Sequence, residues 1–187
     1  MNNLCFKCKG AKLYHRGLKG RNADKTKIMF IANRPDQRVK NDKGVFSMFE
    51  SYELALEGTR TGKNTNDLLK QCGLGWNDIY WTNLFKCVLE KDRVPAYKEY
   101  KMCFEHQLRQ QIIGFNPGKI VAFGENAYYM MFDENKNFLD AVGNVLNFEE
   151  RYLTLIMPHP SAMAPPYRKL KEKEELFGKV AAFLEVK

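Results

Sequence analysis

No stretch of this 187-residue chain approaches the ~20 consecutive apolar residues of a membrane-spanning helix, and no internal repeat or low-complexity tract interrupts it. Those absences exclude a helical membrane protein and a solenoid. They leave a soluble chain whose length suits a single domain, residues 1–187, able to bury a core without help from disulfides. The chain opens with no apolar leader and its cysteines number five, an odd count; both point to a reducing, cytoplasmic compartment. A monomer is expected.

What the chain does have is a patterned set of cysteines. Cys5 and Cys8 form a tight C-x-x-C chelate, and Cys87 and Cys103 form a second pair with fifteen residues between them. That gap is too long for a zinc-knuckle loop, so the two pairs must meet through folding. Four thiolates gathered in this way suit an iron-sulfur cluster, with a structural zinc as the alternative. Cys72 stands outside the scheme.

Charge is placed as unevenly as cysteine. The net charge is +8, and residues 1–30 carry eight Lys or Arg against the single acid Asp24, leaving the other 157 residues almost neutral. A basic N-terminal arm, residues 1–26, beside a cysteine cluster is a phosphate-binding surface of the kind nucleic acids select.

Four short apolar runs bounded by turn residues read as buried strands: residues 27–32 (KIMFIA), 78–87, 119–124 and 152–157. Helical patterns fall between and after them, at 64–71, 96–114, 125–132 and 169–184. In the last, Leu170, Leu176, Val180 and Phe183 share a face. Alternation of this kind predicts an α/β fold, a three-layer α/β/α sandwich around a mostly parallel four-stranded sheet. Ligands in such folds bind beyond the carboxyl ends of the strands. That rule selects Ala32 to Asp36, Asn83 with Lys86, Gly124, and Pro158-His159-Pro160-Ser161. His159 is the most conspicuous of these, because flanking prolines stiffen its backbone and a neutral imidazole aimed by a rigid turn can donate to an oxygen gaining charge. His15 and His106 have no such setting, and His106 reads as structural.

Taken together, these residues resemble the uracil-DNA glycosylase superfamily, most closely its iron-sulfur branch, family four, over nearly the whole chain. The resemblance lies in the four cysteines with their spacing, in Thr82-Asn83-Leu84-Phe85-Lys86-Cys87, in His159-Pro160-Ser161, and in the helix pattern of 62–69 followed by Gly73-Leu74. It implies a [4Fe-4S] cluster on Cys5, Cys8, Cys87 and Cys103 that staples the basic arm to the helix carrying Cys103. DNA is the implied partner, and the implied reaction is hydrolysis of the bond between a flipped base and its deoxyribose. In that scheme Asn83 reads the base edge, Phe46 stacks on the ring with Phe49 close by, and Ala32 lines the pocket. His159 stabilises the departing base. Met163 wedges the vacated stack, and Ser161, Arg168 and Lys169 hold the DNA.

Two departures stand out. Where the family has glycine, glutamate, alanine, proline and glycine after the first strand, this chain has Ala32-Asn33-Arg34-Pro35-Asp36, and only the proline is kept. Arg34 thus occupies the place of a water-positioning residue in related families, leaving Asn33, Asp36 or Asp42 for that task. The connection from Phe46 to Gly62 is also longer than the family's by roughly ten residues, which suggests a functional loop and a changed substrate, such as a bulky modified pyrimidine of viral DNA. The competing reading is a non-catalytic iron-sulfur module that recognises DNA or a modified base.

Overall fold

The computed structural model describes residues 11–14, 17–35, 59–90, 93–132, 136–161 and 170–185. The strands among these residues are β1 (Ala11–Tyr14), β2 (Leu18–Lys19), β3 (Ile28–Ala32), β4 (Ile79–Asn83), β5 (Cys87–Leu89), β6 (Lys119–Phe123), β7 (Val145–Phe148) and β8 (Tyr152–Met157). The helices are α1 (Ala23–Thr26), α2 (Arg60–Gln71), α3 (Tyr97–Cys103), α4 (Arg109–Phe115), α5 (Glu125–Met131), α6 (Phe138–Ala141) and α7 (Leu170–Leu184). A π-helical turn, Phe104–Leu108, joins α3 to α4. None of these helices is long and apolar enough to cross a membrane.

Every residue of β3 is buried, as expected for a central parallel strand covered on both faces. Its alternate side chains enter two cores. Met29 and Ile31 pack with Leu108, Ile112, Ile120 and Tyr128 on the side of α4 and α5. Ile28 and Phe30 pack with Leu68, Leu69, Val180 and Leu184 on the side of α2 and α7. Helices therefore cover both faces of the sheet, and the expected three layers are present.

The sheet itself corrects the expectation of four strands. Among the described residues it has six, in the order β2-β4-β3-β6-β8-β7, with a parallel centre and an antiparallel strand added at each edge. Neither edge strand carries a strong local signal. β2 is two residues long within a basic stretch, and it lies along β4 because Gly17 precedes it: a Cβ at Gly17, whose φ is +92°, would sit 2.8 Å from the Trp81 carbonyl oxygen. β7 enters β8 through a turn that places Glu149 and Glu150 at positive φ, 51° and 56°, where glycine, asparagine or aspartate is the usual hairpin signal.

A second correction concerns the expected strand 78–87. β4 ends at Asn83, and the chain then bends around the end of β3, with the Leu84 and Phe85 N–H groups donating to the Ala32 and Asn33 carbonyls at 2.7 and 2.9 Å. Cys87 begins β5, which leaves the main sheet and pairs antiparallel with β1, Tyr14 opposite Cys87. Apolar composition continues through the bend because Leu84 and Phe85 are fully buried. Periodicity alone therefore reads one strand where there are two.

Candidate active site

Because β4, β3, β6 and β8 run parallel in near-level register, their carboxyl ends fall on one side of the sheet. Ala32 lies opposite Asn83, and Phe123 opposite Met157. Asn33, Asn83, Gly124 and the Pro158–Ser161 turn are thereby brought together, although they are spread over more than a hundred residues of sequence.

His159 is half-buried in that turn. Its Nδ1 accepts the Ser161 N–H at 3.2 Å, so the neutral imidazole carries its proton on Nε2 and is a donor there. The turn is pinned from α2, where Asn64 Nδ2 donates to the Pro160 carbonyl at 2.5 Å. Gly124 closes the other side. Its φ is +91°, its N–H donates to the Met157 carbonyl at 2.7 Å, and a Cβ there would lie 3.6 Å from the His159 Cβ. Asn83, at 6 % exposure, ends β4 with its carboxamide buried.

The segment after β3 departs most from the family pattern, and the structure shows what its residues touch. Asn33 Oδ1 receives a long hydrogen bond, 3.4 Å, from Asn126 Nδ2 at the start of α5. Arg34 Nη1 donates to the Arg93 carbonyl at 3.0 Å. A guanidinium has no acceptor to offer a water, so Arg34 braces the Arg93 segment. Ala32 is buried beneath them.

Beside Asn83 lies a buried polar cluster that sequence reasoning did not assemble. Lys86, with no solvent exposure, donates from Nζ to Thr82 Oγ1 and Gln111 Oε1, both at 2.6 Å, while Thr82 Oγ1 donates to Gln111 Oε1 at 2.9 Å. Burial pushes the Lys86 ammonium down to about 7, opposed by the neighbouring Cys103 thiol. The three side chains tie the end of β4 to α4.

The Lys86 N–H donates to Cys103 Sγ at 3.3 Å, so the Cys103 sulfur sits against the residue next to Cys87. Both cysteines are buried, at 5 % and 6 % exposure. Pairing of β1 with β5 brings the chain that follows Cys8 onto the strand that holds Cys87. Two shielded thiols, one receiving a backbone N–H, are a donor set that fits half of a thiolate-ligated cluster. Cys5 and Cys8 lie outside the described residues, and among the described residues no group of three or more His, Cys, Asp or Glu is placed to hold a metal. Cys72 packs against the opposite face of the sheet, where burial pushes its thiol up to about 11.

Helix α3 is anchored by Glu99, which accepts both Arg93 guanidinium nitrogens, at 2.6 and 2.9 Å, and the Ala96 N–H at 2.8 Å. The Arg93 bonds hold its carboxyl below the ordinary range, against the opposing effect of burial. A depressed carboxyl adds stability above the unfolded-state pKa and loses it as pH falls through the folded-state one. Glu99→Gln is therefore expected to cost about 1 kcal/mol at neutral pH, the scale of a lost helix cap. It should also flatten the fall in thermal midpoint below about pH 4.3. Parallel pH titrations of the midpoint for the two proteins check this.

The remaining expected site residues, Asp36, Phe46, Met163, Arg168 and Lys169, with Phe49 and Asp42, lie outside the described residues. His106 is exposed on the π turn, away from the strand ends. Asn126, Asn64, Gln111 and Tyr100 were not singled out from sequence. Asn126 had a usable signal, being the second residue after the glycine that follows β6.

Comparison with known proteins agrees with this geometry. Residues 19–185 match the family model described as the uracil DNA glycosylase superfamily. The chain is 28 % identical to a type-4 uracil-DNA glycosylase of Saccharolobus solfataricus, over 98 % of this chain and 83 % of that protein. It is 25 % identical to one from Archaeoglobus fulgidus, over 94 % of this chain and 86 % of that protein. A third, from Thermotoga maritima, is 32 % identical over 54 % of this chain and 53 % of that protein.

Proposed function

This chain belongs to the uracil DNA glycosylase superfamily, and we propose on that basis that it removes uracil from DNA by hydrolysing the N-glycosidic bond, leaving an abasic site. The observation that carries the reading is the His159 turn: a fixed Nε2–H donor presented at the same sheet end as the buried Asn83 carboxamide. The target base must leave the stack, since its glycosidic carbon is out of reach within the helix. The Asn83 carboxamide offers one donating and one accepting edge, which matches a pyrimidine edge and can discriminate against bases that present the wrong pattern. As the C–N bond breaks, its electron pair moves onto the base. The His159 Nε2–H then stabilises the negative charge reaching the base carbonyl. Water adds to the cationic sugar carbon, and one of its protons ends on the released base.

Cys5, Cys8, Cys87 and Cys103 are the residues that would hold a [4Fe-4S] cluster, whose contribution in this scheme is structural. The basic arm, Met163, Arg168 and Lys169 are assigned to the DNA. The long connection between Phe46 and Gly62 supports a pocket that also admits a pyrimidine other than uracil, including a bulky modified one.

A panel of oligonucleotides, each with one substituted base, treated with alkali after incubation, tests the reading. Strand cleavage at uracil or at one modified pyrimidine is expected. Asn83→Ala should then lower excision of the preferred base and narrow its margin over the others by roughly tenfold or more. Specific binding without cleavage at any base would instead assign a recognition module, a role consistent with a segment after β3 in which Arg34 offers no acceptor.

A further inference from the structure

Val94 and Tyr97 are large apolar residues left 65 % and 50 % exposed beside the candidate site. Their place there is set by Arg34, which directly follows Asn33 and whose Nη1 donates to the Arg93 carbonyl at 3.0 Å. The segment is also locked from behind. Glu99, buried, accepts both Arg93 guanidinium nitrogens and the Ala96 N–H, and Pro95 between them is buried. Lys98 and Lys101 are exposed along α3, and Lys101 falls one helical turn after Tyr97 and Lys98, so the three side chains share a face. Glu99 and Glu105, the acids within α3 and just after it, are engaged by Arg93 and Arg109 and leave that face positive. A single exposed apolar side chain is ordinary. A rigid apolar pair bordered by cations at the strand ends is the composition that single-stranded nucleic acid selects, a ring for a base and ammonium groups for the backbone.

We propose that Val94, Tyr97, Lys98 and Lys101 form a DNA-contact face next to the base pocket, on which Tyr97 stacks against a base neighbouring the extruded one while Lys98 and Lys101 hold its phosphates. Flipping a base out of the duplex leaves its neighbours with an uncovered ring face, and an aromatic side chain is the group that covers such a face without regard to sequence. Val94 fills the space beside the ring. The bonds from Glu99 and Arg34 hold the segment in place before DNA arrives, so little ordering is lost on binding. This role rests on the reading that DNA with an extruded base is the substrate, and it adds contacts on α3 to those assigned to the basic arm and the segment after His159.

The test is a duplex carrying a stable abasic-site analogue with 2-aminopurine as the adjacent base, titrated with the unsubstituted protein and with variants over a range of salt concentrations. Tyr97→Ala is expected to weaken binding by about tenfold, to remove the change in 2-aminopurine fluorescence on binding, and to leave the salt slope and the thermal midpoint unchanged. Tyr97→Phe, which keeps the ring, should restore both affinity and fluorescence change. Lys98→Ala combined with Lys101→Ala should weaken binding and lower the slope of log affinity against log salt by about 1 or more, with the fluorescence change retained. Undiminished binding by Tyr97→Ala, or a salt slope untouched by the lysine pair, would overturn the inference while excision by the same proteins keeps the glycosylase reading. Loss of affinity on Tyr97→Ala in a protein that excises no base of the panel would support the contact face and overturn the glycosylase reading alone. An unsubstituted protein that does not bind the duplex would overturn both.

Discussion

Replacing His159 with alanine is expected to lower the single-turnover rate of base excision by about 10² or more, with little effect on DNA affinity. The size follows from what the structure presents. A histidine whose Nδ1 is occupied by the Ser161 N–H keeps its Nε2 proton without needing a positive charge, and the Pro160 carbonyl, held by Asn64, fixes the direction of that proton. A donor that is already oriented loses nothing to reorganisation when charge reaches the base carbonyl, so its removal is felt mainly in the transition state. His159→Gln, which keeps a donor on a longer and looser arm, should recover part of the rate. A fully active alanine variant would remove His159 from the chemistry.

The second large effect concerns the cysteines. Purified protein is expected to contain iron and to absorb in the visible, and Cys87→Ser or Cys103→Ser should abolish both, while Cys72→Ser should leave them intact. The physical ground is location: Cys87 and Cys103 are buried together on one face of the sheet, and Cys72 packs against the other. Loss of the ligands should also loosen the pairing of β1 with β5, because the proposed cluster, joining Cys5 and Cys8 to Cys87, would hold the arm where that pairing forms. Limited proteolysis of the N-terminal arm measures this. One equivalent of zinc with no iron would replace the cluster by the alternative metal and keep the same four ligands under test.

The four parallel strands could be read locally because a strand buried on both faces must be apolar throughout, and runs such as 28–32 and 119–123 announce themselves without reference to anything distant. The helix carrying Cys103 could be read too, although its π turn could not. Widening one turn depends on what packs against Phe104 and Leu108, both of which are buried. Expected catalytic positions at strand ends followed from a general property of parallel sheets. Contacts between those positions did not follow.

What the sequence determined by itself, then, is the set of chemically distinctive residues: the proline-flanked His159, Asn83 within the Thr82–Cys87 stretch, and the paired cysteines. These depend on neighbours in the chain, and backbone stiffness and apolar periodicity act over a few residues. Only the tertiary structure decided how those residues are used. Asn126 reaches Asn33 across 93 residues of sequence, Lys86 closes on Gln111 across 25, and Asn64 meets the Pro160 carbonyl across 96. Such bonds exist only once the chain has returned to the same sheet end. The two edge strands and the separation of β5 from β4 have the same origin. Each satisfies backbone groups that nearby residues leave open, and the partner that satisfies them is chosen by the packed layers rather than by local preference.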